Sequence, residues 1–299
     1  MITYQKGVLL IDKPAGLSSN FVVTKVKKLT GAKKVGHTGT LDPFATGILI
    51  VLLGPYTRLA EYFLGFDKVY HAIIELGKTS NTYDIDGEIL AIKPTYKIDL
   101  KQVKNILNSF VGEIEQVPPI YSALKIRGKK AYELARKGKD VELPPRKVNI
   151  YNIEFIQFAN PYIEIRVHCS SGTYIRSLAN DIGQKLGCGA LLKSLRREKI
   201  KNFDILDALT IPELENVIKK KKLKSFFINP LEAFDNSQRI MIKDDKDILL
   251  VKNGNTLKKE LDVANGEALL IDDRNNLLAI ADVEKKNEFV YIKPYKVLI

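Results

Sequence analysis

The chain has 299 residues, 45% of them hydrophobic and 27% charged, enough for one large packed domain and a smaller one and too polar for a bundle of membrane spans. No run approaches the roughly 18 to 20 apolar residues of a transmembrane helix, and the N-terminus has no apolar stretch ending in small residues, so a cytoplasmic location is expected. The net charge of +12 favours polyanionic partners, and its excess lies in front: residues 240–299 carry 10 basic and 11 acidic side chains, the first 239 carry 37 and 24.

Residues 8–11 (Val-Leu-Leu-Ile) read as a short buried strand. Ser18, Ser19 or Asn20 can cap a helix whose apolar Val22, Val26 and Leu29 recur at helical spacing before Gly31. Residues 48–53 form another apolar run of strand length, and in 69–76 the residues Tyr70, Ala72, Ile74 and Leu76 share one strand face. Asp99 and Gln102 make a capping box for a helix continuing through Val103, Ile106 and Phe110, with Ile98 as its staple. Residues 162–170 alternate, with Ile163, Ile165, Val167 and Cys169 on one face, and Ser-Gly-Thr then breaks into a helix bearing Ile175, Leu178, Ala179, Ile182 and Leu186. Strands outnumber long helices without alternating with them, which predicts an α+β fold: a mixed, largely antiparallel sheet with flanking helices. The lysine run at 219–224 is either a nucleic-acid contact or a solvated helix face. Beyond residue 236 short strands separated by turns at Asn253-Gly254 and at 272–276 predict a small β-rich domain over 240–299, after a main domain over 1–236.

Cys169 and Cys188 lack CxxC spacing and His37, His71 and His168 are scattered, so neither disulfide nor metal is expected, and Cys188 reads as a small buried hydrophobe. The segment 36–47, Gly-His-Thr-Gly-Thr-Leu-Asp-Pro-Phe-Ala-Thr-Gly, is glycine-rich and low in apolar mass, as functional loops are. Within it Asp42-Pro43 also has the form of a helix start, with Asp42 as N-cap and Pro43 in the first turn. Residues 118–147 hold 9 basic and 3 acidic side chains, with Tyr121 and Tyr132 among them and Pro-Pro pairs at either end; this is the composition of an RNA-facing insertion or of an exposed basic helix.

Six ordered motifs decide between these alternatives. The loop 36–47 with Ile48 and Leu49, Lys13-Pro14 with 16–20 (Gly-Leu-Ser-Ser-Asn), 76–87 (Leu-Gly-Lys-Thr-Ser-Asn-Thr-Tyr-Asp-Ile-Asp-Gly), 121–132, 169–178 (Cys-Ser-Ser-Gly-Thr-Tyr-Ile-Arg-Ser-Leu) and Leu195-Arg-Arg resemble the bacterial tRNA pseudouridine(55) synthase (TruB-type) family over residues 7–210. The resemblance implies a pseudouridine synthase fold with a PUA-like C-terminal domain, and an isomerase that converts uridine 55 in the T-loop of transfer RNA after flipping it out. It makes Asp42 the attacking carboxylate, Arg176 its partner and Tyr70 the ring on the flipped uracil. Leu195 becomes the opposite wall, His37 a wedge in the RNA loop, Asp84 and Tyr174 supports of the arginine and loop, and Lys13 a support of the catalytic loop.

These roles fit the residue types. A guanidinium favours the ionised carboxylate and can orient it through two parallel hydrogen bonds, and its place in a helix's first turn calls for a compensating anion. An extruded base needs an aromatic face to replace its lost stacking, worth about 1 to 3 kcal/mol. Segment 118–147 resembles the thumb that grips the T-arm in stand-alone members, with Lys125, Arg127, Lys129 and Lys130 as its cations. Guide-dependent relatives lack it, so neither a guide RNA nor an obligatory protein partner is expected. The reaction needs no cofactor, and no dinucleotide-binding or Walker sequence is present. A silent RNA-binding or RNA-folding protein and a base-flipping glycosylase are the rival readings; the joint presence of Asp42, Tyr70 and Arg176 disfavours the first, the family resemblance the second.

Overall fold

The computed structural model describes residues 3–122, 124–126, 128–131 and 143–299. In chain order the elements are β1 (Gly7–Lys13), α1 (Ser19–Thr30), β2 (Val35–His37), β3 (Thr46–Leu53), α2 (Ala60–Leu64), β4 (Lys68–Leu76), β5 (Lys78–Ser80), β6 (Ile89–Ile92), α3 (Leu100–Asn108) and β7 (Gly112–Gln116). There follow β8 (Lys125–Ile126), β9 (Lys129–Lys130), β10 (Arg146–Ala159), β11 (Tyr162–Cys169), α4 (Ile175–Lys185), β12 (Ala190–Ile200), β13 (Phe203–Asp204) and α5 (Ile211–Lys219). Last come β14 (Gln238–Met241), α6 (Asp245–Lys252), β15 (Leu257–Lys259), β16 (Gly266–Ile271), β17 (Leu277–Lys286) and β18 (Phe289–Val297).

A nine-stranded sheet runs β1-β3-β12-β4-β11-β10-β7, with β2 added to β3 and β13 to β12. Its pairings are antiparallel except β3 with β12, which meet in parallel at Thr46–Arg196 and Gly47–Arg197. The mixed, largely antiparallel sheet with flanking helices is thus the fold expected from the sequence.

Burial follows from the residue pattern. The inward residues of β4, β11 and β12 pack with α3 and α4 around Ala72, Ile163, Ile165, Leu178 and Ile182. β1 and β3 are covered on both faces, which is why they read as unbroken apolar runs: Leu9, Ile11, Leu49 and Val51 face α1 and α5, while Val8, Leu10, Ile48 and Ile50 face the segment 56–66 and the C-terminal sheet. Ser18 caps α1, its hydroxyl accepting from the Phe21 N–H, and Gly31 ends it at φ 68°. The capping box of Asp99 and Gln102 forms as expected.

The C-terminal part is a five-stranded sheet, β14-β16-β17-β18-β15, but it also carries α6, which the β-rich reading omitted. Asn253-Gly254 is the end of that helix: Gly254, at φ 73°, donates its N–H to the Val251 carbonyl. The second turn does join two strands, β16 and β17, with the Asp272 carboxylate accepting from the N–H groups of Arg274 and Asn276. Residues 219–224 do not form one helix face, since α5 ends at Lys219 and the run continues as a turn into a short 3-10 segment at Leu223–Phe226.

Candidate active site

Asp42 lies in the connection between β2 and β3. No helix follows it; the Ala45 N–H returns to the Asp42 carbonyl at 3.1 Å, so the N-cap alternative is wrong and the carboxylate is left for a tertiary partner. Four neighbours hold the loop in place of helical bonds. Lys13, fully buried, donates to the carbonyls of Pro14, Leu17 and Pro43 at 2.9, 2.7 and 3.2 Å. The Ser19 hydroxyl both accepts from and donates to the Leu41 backbone, the Gly16 N–H reaches the Pro43 carbonyl, and Arg197 donates to the carbonyls of Gly39 and Ile48. Lys13 uses all three ammonium protons this way, and burial depresses its pKa to about 8.

Arg176, 4% exposed, enters from the first turn of α4. Its Nη2 donates to Asp42 Oδ1 at 3.3 Å, and its Nε stands 2.9 Å from Oδ2 with the N–H not aimed at the oxygen. The expected pair forms, but with one aligned hydrogen bond instead of two parallel ones. Arg176 also donates to the carbonyls of Thr82 and Tyr121 and lies 3.3 Å from Asp84 Oδ2. Asp84 splits its oxygens between two tasks: Oδ2 faces the arginine while Oδ1 accepts from the Thr82 hydroxyl and the Asp86 N–H, closing the local turn. The two carboxylates are the anions that a cation at a helix N-terminus calls for. That terminus is capped from a distance, since buried Gln116 of β7 accepts from the Tyr174 N–H and donates to its carbonyl.

Asp42 keeps 32% of its side chain exposed toward a cavity of about 920 Å³. Crowding of the carboxyl by protein raises its pKa, outweighing the guanidinium of Arg176 that lowers it; Asp84 raises it further. Tyr70 of β4 and Leu195 of β12 line the same cavity while belonging to the apolar core. Burial raises the Tyr70 pKa. His37, at the end of β2, is a further wall; burial first, then Arg197, lowers its pKa and favours neutral imidazole. The Tyr174 ring faces the cavity with the Arg146 guanidinium 4.6 Å from its centroid.

Among the described residues, the buried side-chain polar atoms without a partner are His37 Nδ1, Thr38 Oγ1, Ser122 Oγ, Arg146 Nε and Arg176 Nε. All but that of Thr38 belong to cavity-lining residues. Buried polar groups are almost always paired; Arg176 Nε has the Asp42 carboxylate 2.9 Å away, and the others are left for water or a polar ligand.

Sequence reasoning assigned no role to Arg146, Arg197, Lys68 or Gln116. Arg197 stood within the Leu195-Arg-Arg motif and Arg146 within the basic insertion, so both carried a signal. Lys68, whose pKa burial lowers to about 8, and Gln116 carried none, because a polar residue in a strand does not announce that it points inward. Of the thumb cations, Arg127 lies outside the described residues, as does Tyr132. Lys125, Lys129 and Lys130 fall on the β8–β9 hairpin, turned at Gly128 (φ 83°).

Residues 27–175 match the TruB family pseudouridylate synthase N-terminal domain and residues 176–234 the tRNA pseudouridylate synthase B C-terminal domain. The chain belongs to the TruB family. It is 45% identical over 273 residues to tRNA pseudouridine synthase B of Dehalococcoides mccartyi, covering 91% of this chain and 90% of that one. To the Clostridium tetani protein of the same name it is 44% identical, over 84% and 86%. Among solved structures, a chain of a Cbf5-Nop10-Gar1 complex superposes with TM-score 0.71 at 25% identity, over 99% of this chain and 85% of that one. A chain of an H/ACA RNP bound to a substrate RNA containing 2'-deoxyuridine gives 0.71 at 24%, over 99% and 86%. These likenesses show that the fold of this TruB-family chain is the pseudouridine synthase fold.

Proposed function

We propose that this TruB-family chain converts uridine 55 in the T-loop of transfer RNA to pseudouridine, acting alone without a guide RNA. The observation that carries the reading is the Asp42 carboxylate fixed by Arg176 in a cavity whose walls are Tyr70, Leu195 and a group of unpaired polar atoms. The reaction is an isomerisation: the bond from the sugar carbon to the base nitrogen breaks, a bond from the same sugar carbon to a base carbon forms, and the proton lost from that base carbon is balanced by one gained at the nitrogen. No oxidant, reductant or water is consumed.

Each group has a part in that sequence. Tyr70 offers a flat face that replaces the stacking lost when the base leaves the loop, about 1 to 3 kcal/mol. Leu195 closes the opposite side and excludes water, which would otherwise divert the detached sugar to hydrolysis. Asp42 attacks the nucleoside as a carboxylate, and Arg176, tied to two carbonyls and to Asp84, fixes its orientation as a lysine could not. His37 occupies the place the base vacates. Asp84, Tyr174 and Lys13 are positioning residues, joined by Arg197, which anchors the loop from β12.

The division of labour follows the chain. Residues 1–236 form the catalytic part, the insertion at 118–147 grips the T-arm, and 240–299 form a small PUA-like part. A tRNA-modifying enzyme of this kind works in the cytoplasm, and among the described residues no helix is long and apolar enough to cross a membrane. The test is incubation of the purified chain alone with a T-arm hairpin, followed by chemical labelling specific for pseudouridine. Label at the single target uridine supports the proposal; unchanged uridine, or an abasic site, would overturn it.

A further inference from the structure

The lysine run at 219–224 is outside the site described above, and its surroundings give it a use. Helices α1 and α5 lie side by side through Val22, Val26 and Leu214, with Leu223 of the following 3-10 segment in the same cluster, joined at the surface by the Lys25–Glu215 ion pair at 2.8 Å. The segment before β1 ties the end of α1 to the run: the Tyr4 N–H donates to the Thr30 carbonyl and the Tyr4 ring meets Phe227 edge-on. Gln5 spans Gly31 and the Lys33 N–H. Two stretches far apart in sequence therefore meet at one end of α1: residues 27–34, with Lys27 and Lys28 of its last turn and Lys33 and Lys34 of the link to β2, and the lysines of 219–224.

Among the described residues none of these nine ammonium groups forms an ion pair. The two carboxylates of α5 are already engaged, Glu213 by Thr210 and Glu215 by Lys25. Helix ends welcome cations, but the effect is small and fades beyond the last turn. It accounts for Lys27, Lys28, Lys219 and the C-cap residue Lys220 and leaves Lys33, Lys34, Lys221, Lys222 and Lys224 unexplained. Lys221 stands at φ 57°, a conformation that glycine adopts without strain. Uncompensated like charges at this density repel one another and favour a polyanion.

Helix α1 runs from the cavity to the patch. Ser18, Ser19 and Asn20 at the start of α1 line the cavity, the helix has no acidic residue, and at 1.5 Å per residue its 12 residues span about 18 Å. Resting on the proposed RNA substrate, we infer that this composite lysine patch holds the phosphate backbone of the double-stranded stem below the target loop, as a second RNA grip independent of the 118–147 insertion.

Two hairpins test it, one carrying the target loop on a short stem and one with an added helical turn of duplex. For the unaltered chain the longer hairpin is expected to bind more tightly and with a steeper salt dependence. The K33Q/K34Q/K221Q/K222Q variant is expected to bind both alike, its salt slope on the longer hairpin flattened by about 0.7 to 0.9 for each phosphate no longer neutralised. The matching Lys→Arg variant, which keeps the charge, is expected to restore the difference and serves as a control for folding. Equal binding of both hairpins by the unaltered chain, retention of the length dependence in the Gln variant, or equal loss on both hairpins would each overturn the inference. Failure of the unaltered chain to convert uridine in the short hairpin would count instead against the proposed function.

Discussion

Asp42 is held between two opposing influences, and their balance sets its pH behaviour. Crowding favours the neutral acid and Arg176 the carboxylate, with crowding ahead. If the carboxylate is the working form, kcat falls on the acid side, through a pKa above the usual range near 4. A rate profile over pH on saturating hairpin is expected to show that raised acid limb, and Arg176→Met to move it higher still by removing the lowering influence; a limb that stays put in the variant would separate Arg176 from Asp42. At Tyr70, which shares the core and the cavity, Phe is expected to keep fold and stacking while Ala loses both stacking and turnover, at about 3 kcal/mol or more of stability. Unfolding curves and turnover of the two variants check this, and full activity in the Ala variant would make Tyr70 ordinary core. At this scale the sequence was informative about residue types but not about partners. Arg176 and Asp42 are 134 positions apart, and no spacing rule links them; only the motif resemblance did. Buried Gln116 acts through a backbone amide and carbonyl that any sequence has, so nothing local marks it, whereas Arg197 was marked only by its motif.

At the level of elements, the catalytic loop depends on the parallel contact of β3 with β12. Gly47 sits at φ 109°, and a Cβ there would lie 2.3 Å from the Arg197 carbonyl oxygen. Gly47→Ala is therefore expected to force the strands apart, costing about 2 kcal/mol or more, and to lower kcat because Arg197 and the loop shift together; a denaturant midpoint equal to that of the parent would contradict this. Elements with strong periodicity were legible in advance. Strand 162–169 alternates without exception, the capping box of Asp99 was written in its residues, and Ser18 and Gly31 bounded α1. The loop at Asp42-Pro43 was misread locally because its helix-start chemistry was overridden by tertiary bonds from Lys13, Ser19 and Arg197. α6 was missed because Asn-Gly signals a helix end as well as a hairpin, and its eight residues carry little amphipathic pattern.

At the level of the whole molecule, RNA affinity and chemistry are expected to separate. The C-terminal sheet packs on the main part through an apolar cluster in which Leu269, Ile271, Leu277 and Leu298 join Tyr56, Phe203 and Phe234, and with its slightly acidic balance the charge for RNA is expected from the basic surface elsewhere. Neutralising Lys125, Arg127, Lys129 and Lys130 should weaken hairpin binding and flatten its salt dependence by about 0.7 to 0.9 per phosphate set free, with a smaller change in turnover at saturation. Parallel lines of equal intercept in a salt series would show that the insertion is only solvated surface. The overall architecture was visible in the sequence as fold class, but strands β7, β10 and β12 were not read from it, nor was the meeting of α1 with the 219–224 run, since it joins two stretches far apart in the chain. The most direct test of the central claim is single-turnover conversion of a saturating T-arm hairpin by Asp42→Asn beside the unaltered chain, with hairpin affinity measured in parallel. Expected is loss of pseudouridine formation with affinity kept within a few fold, because the carboxylate acts in the chemical step and binding lies elsewhere. Product formed by the Asn variant at the parent rate would contradict it.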